Sequence, residues 1–199
     1  PNKNLDFTRS HHLVLGYDRL LSEFMRVKLE TYYQRIFNAP VDVRPGPYSM
    51  LNQGADFGID APDSMANNGT GYNYGAEMTV ERFLHNGLYF LFTTSIFQSR
   101  FVGSDGIERN TAFNGNYIFN TLAGKEFYIF KKSNIEDKKK QHILTFDVRF
   151  SWVGGKRYTP VDLAQSRLLN KAVYDYSLAL SEKYPDYLRC DLRMGYKSQ

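Results

Sequence analysis

Residues 26–35 read RVKLETYYQR, with charged or polar side chains at nearly every even position and apolar or aromatic ones between them. Successive side chains of an extended chain point to opposite sides, so this alternation specifies a strand with two chemically different faces. Arg26, Lys28, Glu30, Tyr32 and Gln34 share one face, and Met25, Val27, Leu29, Thr31 and Tyr33 share the other. Alternation alone leaves two settings open. Either the apolar face covers a protein core with the charged face in water, or it meets lipid while the charged face lines a wet lumen.

Working outward, seven segments read as strands, at about 11–21, 24–36, 71–83, 87–102, 114–130, 141–153 and 187–197. Segment 71–83 sets Tyr72, Tyr74, Ala76, Met78 and Val80 against Asn73, Gly75, Glu77, Thr79 and Glu81. Segment 141–153 sets Leu144, Phe146, Val148, Phe150 and Trp152 against Thr145, Asp147, Arg149 and Ser151. The last sets Leu188, Cys190, Leu192, Met194 and Tyr196 against Arg189, Asp191, Arg193 and Lys197. Segments 87–102 and 114–130 carry apolar residues on both faces.

The connections alternate in length. LSE at 21–23, LHN at 84–86 and KKSNIEDKKK at 131–140 are compact, whereas 37–70, 103–113 and 154–186 are mostly longer and rich in Gly, Asn, Asp and Pro. Short turns at one end and long loops at the other are the asymmetry of a bacterial outer-membrane barrel. Seven is an odd number, and single-chain bacterial barrels close with an even one, so either one strand is missing from this reading or the chain is a section of a larger barrel, the expectation favoured, with Pro1 and Gln199 as cut points.

Composition agrees with this reading. Aromatic residues make up 16% of the chain, 15 Tyr, 15 Phe and 1 Trp, which suits both strands and interfacial girdles. The longest apolar run, LYFLF at 88–92, falls far short of the ~18 residues a membrane helix needs. The net charge of +4 is spread among acids, and the one basic run, EDKKKQ at 136–141, reads as a solvated turn, so no nucleic-acid partner is expected. Cys190 is the single cysteine, excluding an internal disulfide; between Leu188 and Leu192 it reads as a small hydrophobe.

The ordered set RSHHLVLGYDRLL, VKLETYYQRIFNAPV, NYGAEMTVERFL, NGLYFLFTTSIFQSRF, GGKRYTPVDL and PDYLRCDLRMGYK, spread over residues 9–197, resembles the barrel domain of TonB-dependent outer-membrane receptors of the Bacteroidota type. The resemblance implies an all-β fold, an antiparallel transmembrane β-barrel section of about seven strands from a 22-stranded barrel, with residues 1–199 lying within one barrel domain and the plug domain outside this chain. It also implies uptake of a scarce solute across the bacterial outer membrane: an iron chelate, oligosaccharide, cobalamin or peptide. The implied partners are outer-membrane lipid, the plug domain and remaining strands of the parent chain, the TonB complex, and a surface lipoprotein.

Under that resemblance Arg26, Lys28, Glu30, Glu77, Glu81, Asp147, Arg149, Arg189, Asp191 and Arg193 face the lumen or plug, or simply keep the wall hydrated and in register. Ligand recognition is expected in the long loops, where Tyr48, Phe57, Phe101, Tyr174 and Tyr176 offer rings to stack on a ligand. Asp56, Asp60 and Asp63 could hold a hard cation, but their spacing does not match an EF-hand loop, and no metal site or cofactor is expected. Gly154 and Gly155 in VGGKRYTP are expected to permit a bulge or a close backbone approach. No nucleophile motif, metal-spaced His cluster or phosphate-binding glycine loop is present, so no catalytic residue and no enzyme activity are expected.

Two other readings compete: a soluble β-sandwich that binds carbohydrate, and a smaller outer-membrane barrel, enzyme or adhesin. The sandwich requires a second layer over Leu13, Leu15, Val27, Leu29, Val148, Phe150, Leu192 and Met194; the barrel wall requires that nothing from the protein cover them.

Overall fold

The structure, a computed structural model, describes residues 2–54, 61–131 and 141–198. It is all-β, with strands β1 (Arg9–Ser22), β2 (Met25–Asp42), β3 (Met65–His85), β4 (Leu88–Val102), β5 (Glu108–Asn110), β6 (Tyr117–Lys131), β7 (Gln141–Val153), β8 (Arg157–Tyr158), β9 (Glu182–Lys183) and β10 (Tyr187–Ser198), and one helix, α1 (Leu163–Leu169). The main sheet is antiparallel, in the order β1-β2-β3-β4-β6-β7-β10 with β5 added to β4; β8 and β9 form a separate pair. The sheet is open, its edges being β1 and β10.

All seven segments read from the sequence are strands, and three boundaries move for identifiable reasons. β2 and β3 pair six residues beyond the expected ends at 36 and 71, through register shifts around Asn38, which holds a left-handed φ of 57°. Asn38, Pro40 and Gly69 read as loop residues, but a bulge accommodates all three. The fifth segment starts at Tyr117 instead of 114, because the side chains of Asn114 and Asn116 are taken up elsewhere, Asn114 donating to Gln98 of β4 and Asn116 accepting from Arg157. The β3–β4 turn is Asn86–Gly87, both at positive φ (52° and 72°), the pairing a two-residue hairpin favours.

The register sorts side chains into two faces. On the polar face Asp18 pairs Lys28, Arg26 pairs Glu81, Glu30 pairs Glu77, Asp147 pairs Arg193 and Arg149 pairs Asp191. All ten residues expected on one charged face do share it. The opposite face carries Leu13, Leu15, Val27, Leu29, Met78, Phe92, Val148, Phe150, Leu192 and Met194. No second layer of described residues covers that face: none of the eight diagnostic side chains is buried, and Leu13, Leu15, Leu192 and Met194 are 70–81% exposed.

The buried apolar side chains among the described residues are few, and Ala39, Val41, Phe101 and Ala112 gather at the loop end. There the 3-10 turn Met50–Asn52 folds back so that Leu51 packs over Gly71, where an added Cβ would come within 2.9 Å. The molecule is therefore a two-faced sheet with a small core under its loops.

The charge-free part of the apolar face crosses the sheet obliquely. It runs from Met25 to Tyr33 on β2, centred on Leu29, and from Leu188 to Tyr196 on β10, centred on Leu192. The row of paired residues starting at Leu29 passes through Met78, Thr94, Phe119 and Trp152 and arrives at Leu188, four residues from Leu192. Four residues at ~3.4 Å over five strand spacings of ~4.8 Å correspond to a strand tilt of about 30° from the band's normal. Eight residue steps at that tilt make the band about 24 Å tall. Aromatic residues mark its margins: Tyr33, Tyr74, Tyr117 and Trp152 on the loop side, Phe127, Phe146 and Tyr196 on the turn side.

Candidate functional site

The long connections interlock into a collar at one end. Ser104 Oγ donates to the Arg44 carbonyl (2.7 Å) and accepts from Gly46 N (3.1 Å). Asn52 Oδ1 accepts from Ala112 N (2.9 Å), joining the β2–β3 and β5–β6 loops. Arg157 ties in the β7–β10 segment, donating to the Asn114 carbonyl (3.2 Å), the Ser181 carbonyl (3.2 Å) and Asn116 Oδ1 (2.9 Å). Asn114 is fully buried; its amide donates to Gln98 Oε1 (3.0 Å) and Asn110 Oδ1 (2.8 Å), while its oxygen accepts from Ser99 N (3.1 Å) and Asn116 Nδ2 (3.2 Å).

Glycine makes this closeness possible. A Cβ at Gly154 would strike the Gly115 carbonyl, and one at Gly155 the Tyr184 carbonyl, so both positions are the close backbone approaches expected from the sequence. Asp186 locks the last loop onto the sheet: Tyr117 OH and Trp152 Nε1 (3.0 Å) donate to it, with Gly155 N and Lys183 Nζ (3.2 Å) alongside. Those hydrogen bonds, Tyr117's first, pull its carboxyl down to about 2. Asp105 is likewise held below the usual carboxylate range by the bidentate grip of the buried Arg109.

Beneath the collar, on the polar face, lies an open cleft of about 460 Å³. Its floor is the strand wall. Tyr32 lies across Gly75 of the next strand, where a Cβ would come within 2.8 Å of the hydroxyl. Asn73 Nδ2 donates to Gln34 Oε1 at 2.8 Å. Glu30 and Glu77 face each other in register, with Lys28 Nζ 2.6 Å from Glu30 and Ser95 donating to Glu77. The rings of Phe97 and Phe113 complete the lining. Amide pairs, carboxylates and ring faces suit recognition of a polar solute. The described residues contain no group of three metal-capable side chains.

The loop aromatics named from the sequence do not assemble here. Phe101 is a correction: it lies within β4 and is fully buried beneath the collar, so its ring is core. Tyr48 is half-buried and tied inside its own loop, donating to Met50 Sδ and accepting from Gln53 Nε2, each at 3.2 Å. Tyr174 and Tyr176 are exposed, with ring centroids 6.4 Å apart. Phe57, Asp56 and Asp60 lie outside the described residues, and Asp63 is exposed. Tyr32, Gln34, Asn73 and Phe97 were legible only as strand positions; their one sequence signal was uncharged polar and aromatic residues on an otherwise ionic face. No family model matches the chain, and neither a curated protein nor a solved structure matches it significantly.

Proposed function

We propose that the chain forms part of the wall of an outer-membrane uptake receptor of the TonB-dependent kind, with its apolar face against lipid and its polar cleft beside the path of a scarce solute. The segregation of charge by face carries this reading. The acids of the regular ladders between the seven long strands, Asp18, Glu30, Glu77, Glu81, Glu126, Asp147 and Asp191, all stand on the polar face, and only Glu108 of the short β5 stands on the other. The other face keeps an uncharged band whose ~24 Å height and ~30° strand tilt approach the ~25 Å band and ~35–45° tilt of membrane barrels.

An uncovered apolar surface of this extent is costly in water and favourable against acyl chains. The ordered stretches resembling TonB-dependent receptors support the family, and the cleft's amides, carboxylates and rings support passage of a polar solute. In this reading further strands, a plug and the TonB complex belong to the parent assembly, with a surface lipoprotein as an outer partner.

The native cysteine supplies the test of placement. Cys190 sits mid-strand on the apolar face and is exposed in this chain. In intact outer membranes containing the parent protein, a membrane-impermeant maleimide should leave Cys190 unlabelled until detergent or denaturant is added. Labelling as fast as in the denatured protein would sink the wall reading. Energy-dependent loss of solute uptake in a deletion strain tests transport, and unchanged uptake of iron chelates, cobalamin, oligosaccharides and peptides would refute it.

A further inference from the structure

The charged residues on the apolar face of the long strands are basic, and the short β5 adds one acid there, Glu108. Arg9, Arg35, Arg82, Arg100 and Lys125 project from it at the margins of the uncharged band, and Arg19 of the edge strand, paired with Val27, stands inside the turn-side margin. On the loop side they form a group: His11 pairs Arg35, Arg35 pairs Tyr72 and Tyr72 pairs Arg100, while Arg9 stands one step closer to the loops. Arg35 and Arg100 are two strands apart, about 10 Å at the backbone, so their long side chains can converge on one anion.

Among the described residues, Arg9, Arg35 and Arg100 have no hydrogen-bond or ion-pair acceptor for their side chains. Glu108 of β5 shares this face, but Tyr72 OH engages it at 3.0 Å. Immediately below the row lie the exposed apolar surfaces of Leu13, Tyr33 and Tyr74, with Ile96 one row further. Unneutralised guanidinium groups above an apolar surface are complementary to an amphiphile with phosphate above acyl chains.

We propose that Arg9, Arg35 and Arg100, with His11 and Tyr72, form a binding site for a phosphorylated lipid of the leaflet on the loop side, its phosphate between the arginines and its chains along Leu13, Tyr33 and Tyr74. This site rests on the wall reading above, since the chains need the apolar face to be lipid-exposed. The guanidinium groups supply bidentate donors to phosphate oxygens, while Tyr72 contributes its ring at the centre of the row, its hydroxyl being held by Glu108.

The parent protein, reconstituted in phosphatidylcholine nanodiscs and offered diphosphoryl lipid A, should retain that lipid by native mass spectrometry. It should retain dephosphorylated lipid A much less. The R9Q/R35Q/R100Q variant should insert into the same nanodiscs yet retain diphosphoryl lipid A on the order of a hundredfold more weakly, about fivefold per arginine removed. Arg189→Gln, on the polar face, should leave retention unchanged. Equal retention of the two lipids by the wild type, undiminished retention by the triple variant, or displacement by equimolar inorganic phosphate would each overturn the site. Failure of the wild type to insert into phosphatidylcholine would instead overturn the wall reading.

Discussion

Replacing Leu29 by arginine tests the central argument at its strongest point. Leu29 is 42% exposed at the centre of the uncharged band on β2, with Tyr17 and Met78 as its paired neighbours. Four residues separate it from Met25 and from Tyr33. At ~3.4 Å per residue and ~30° of tilt, it stands about 12 Å from either margin. Neither neighbour is acidic, and the acids of β2 and β3 project from the opposite face, so an arginine there finds no counterion.

In a bilayer such a residue costs about 2–4 kcal/mol at the midplane and about 0–1 near the interfaces. In water the same exposed substitution stays within about 0.5 kcal/mol. The two settings thus differ by roughly one to three orders of magnitude in the folding equilibrium. The assay is reversible denaturant unfolding of the parent protein in phospholipid vesicles, comparing Met25→Arg, Leu29→Arg and Tyr33→Arg, with Thr93→Arg on the polar face as control. The expected profile peaks at Leu29, falls at both margins and is flat for Thr93. A Leu29→Arg loss below about 0.5 kcal/mol, or a profile without a central maximum, would refute lipid contact at this face.

Three further outcomes concern the collar. Gly155→Ala forces a methyl against the Tyr184 carbonyl and should destabilise the β7–β10 segment by about 1–3 kcal/mol, seen as faster proteolytic nicking within 154–186; wild-type nicking rates would count against that close approach. Asn114→Ala removes four side-chain hydrogen bonds and strands the Ser99 N–H, an expected loss of about 2–4 kcal/mol by denaturant unfolding. Asp186, held at about 2 against an ordinary 3.8, binds its proton less readily when folded, so its stabilisation is complete above about pH 4 and disappears as pH falls through 2. Protease protection of the β7–β10 segment should follow that window in the wild type and lose its pH dependence in Asp186→Asn.

The strands were legible because a period of two leaves little freedom once each face has its own chemistry. β2, β3, β7 and β10 declare themselves this way. β4 and β6 did not, and their partners explain it. Tyr89 places an aromatic ring on the polar face because Gly124 opposite leaves it space, and its hydroxyl reaches Asp147 at 2.7 Å. Phe101 occupies the same face because Leu51 and the collar cover it. Such cross-strand compensation depends on register, which no single segment encodes. The cleft was illegible for the same reason: Gln34 and Asn73 lie 39 positions apart in sequence and meet only when β2 and β3 pair. The sequence points to loop aromatics for recognition, but the described loop residues largely spend their polar groups on one another.

The open edges join the fold to the proposed setting. β1 has 14 residues, and as an edge strand it leaves about half of its backbone N–H and C=O groups without a sheet partner. In water those groups hydrogen-bond to solvent at little cost. In hydrocarbon each unsatisfied group costs several kcal/mol, so an edge this long would outweigh the whole stability of a domain. The apolar band favours lipid, and lipid forbids the free edge; the wall reading therefore requires both β1 and β10 to be paired in the membrane. β1 and β10, first and last of seven alternating strands, run in the same direction, so joining them to each other would create a parallel pair in an otherwise antiparallel sheet. Pairing to further antiparallel strands satisfies both edges without that exception. A cross-linking test follows directly: a benzophenone side chain placed at Leu15 should photo-cross-link to an additional strand of the parent protein, whereas an oxidative disulfide between a cysteine at Leu15 and Cys190 would mean that these seven strands close on themselves.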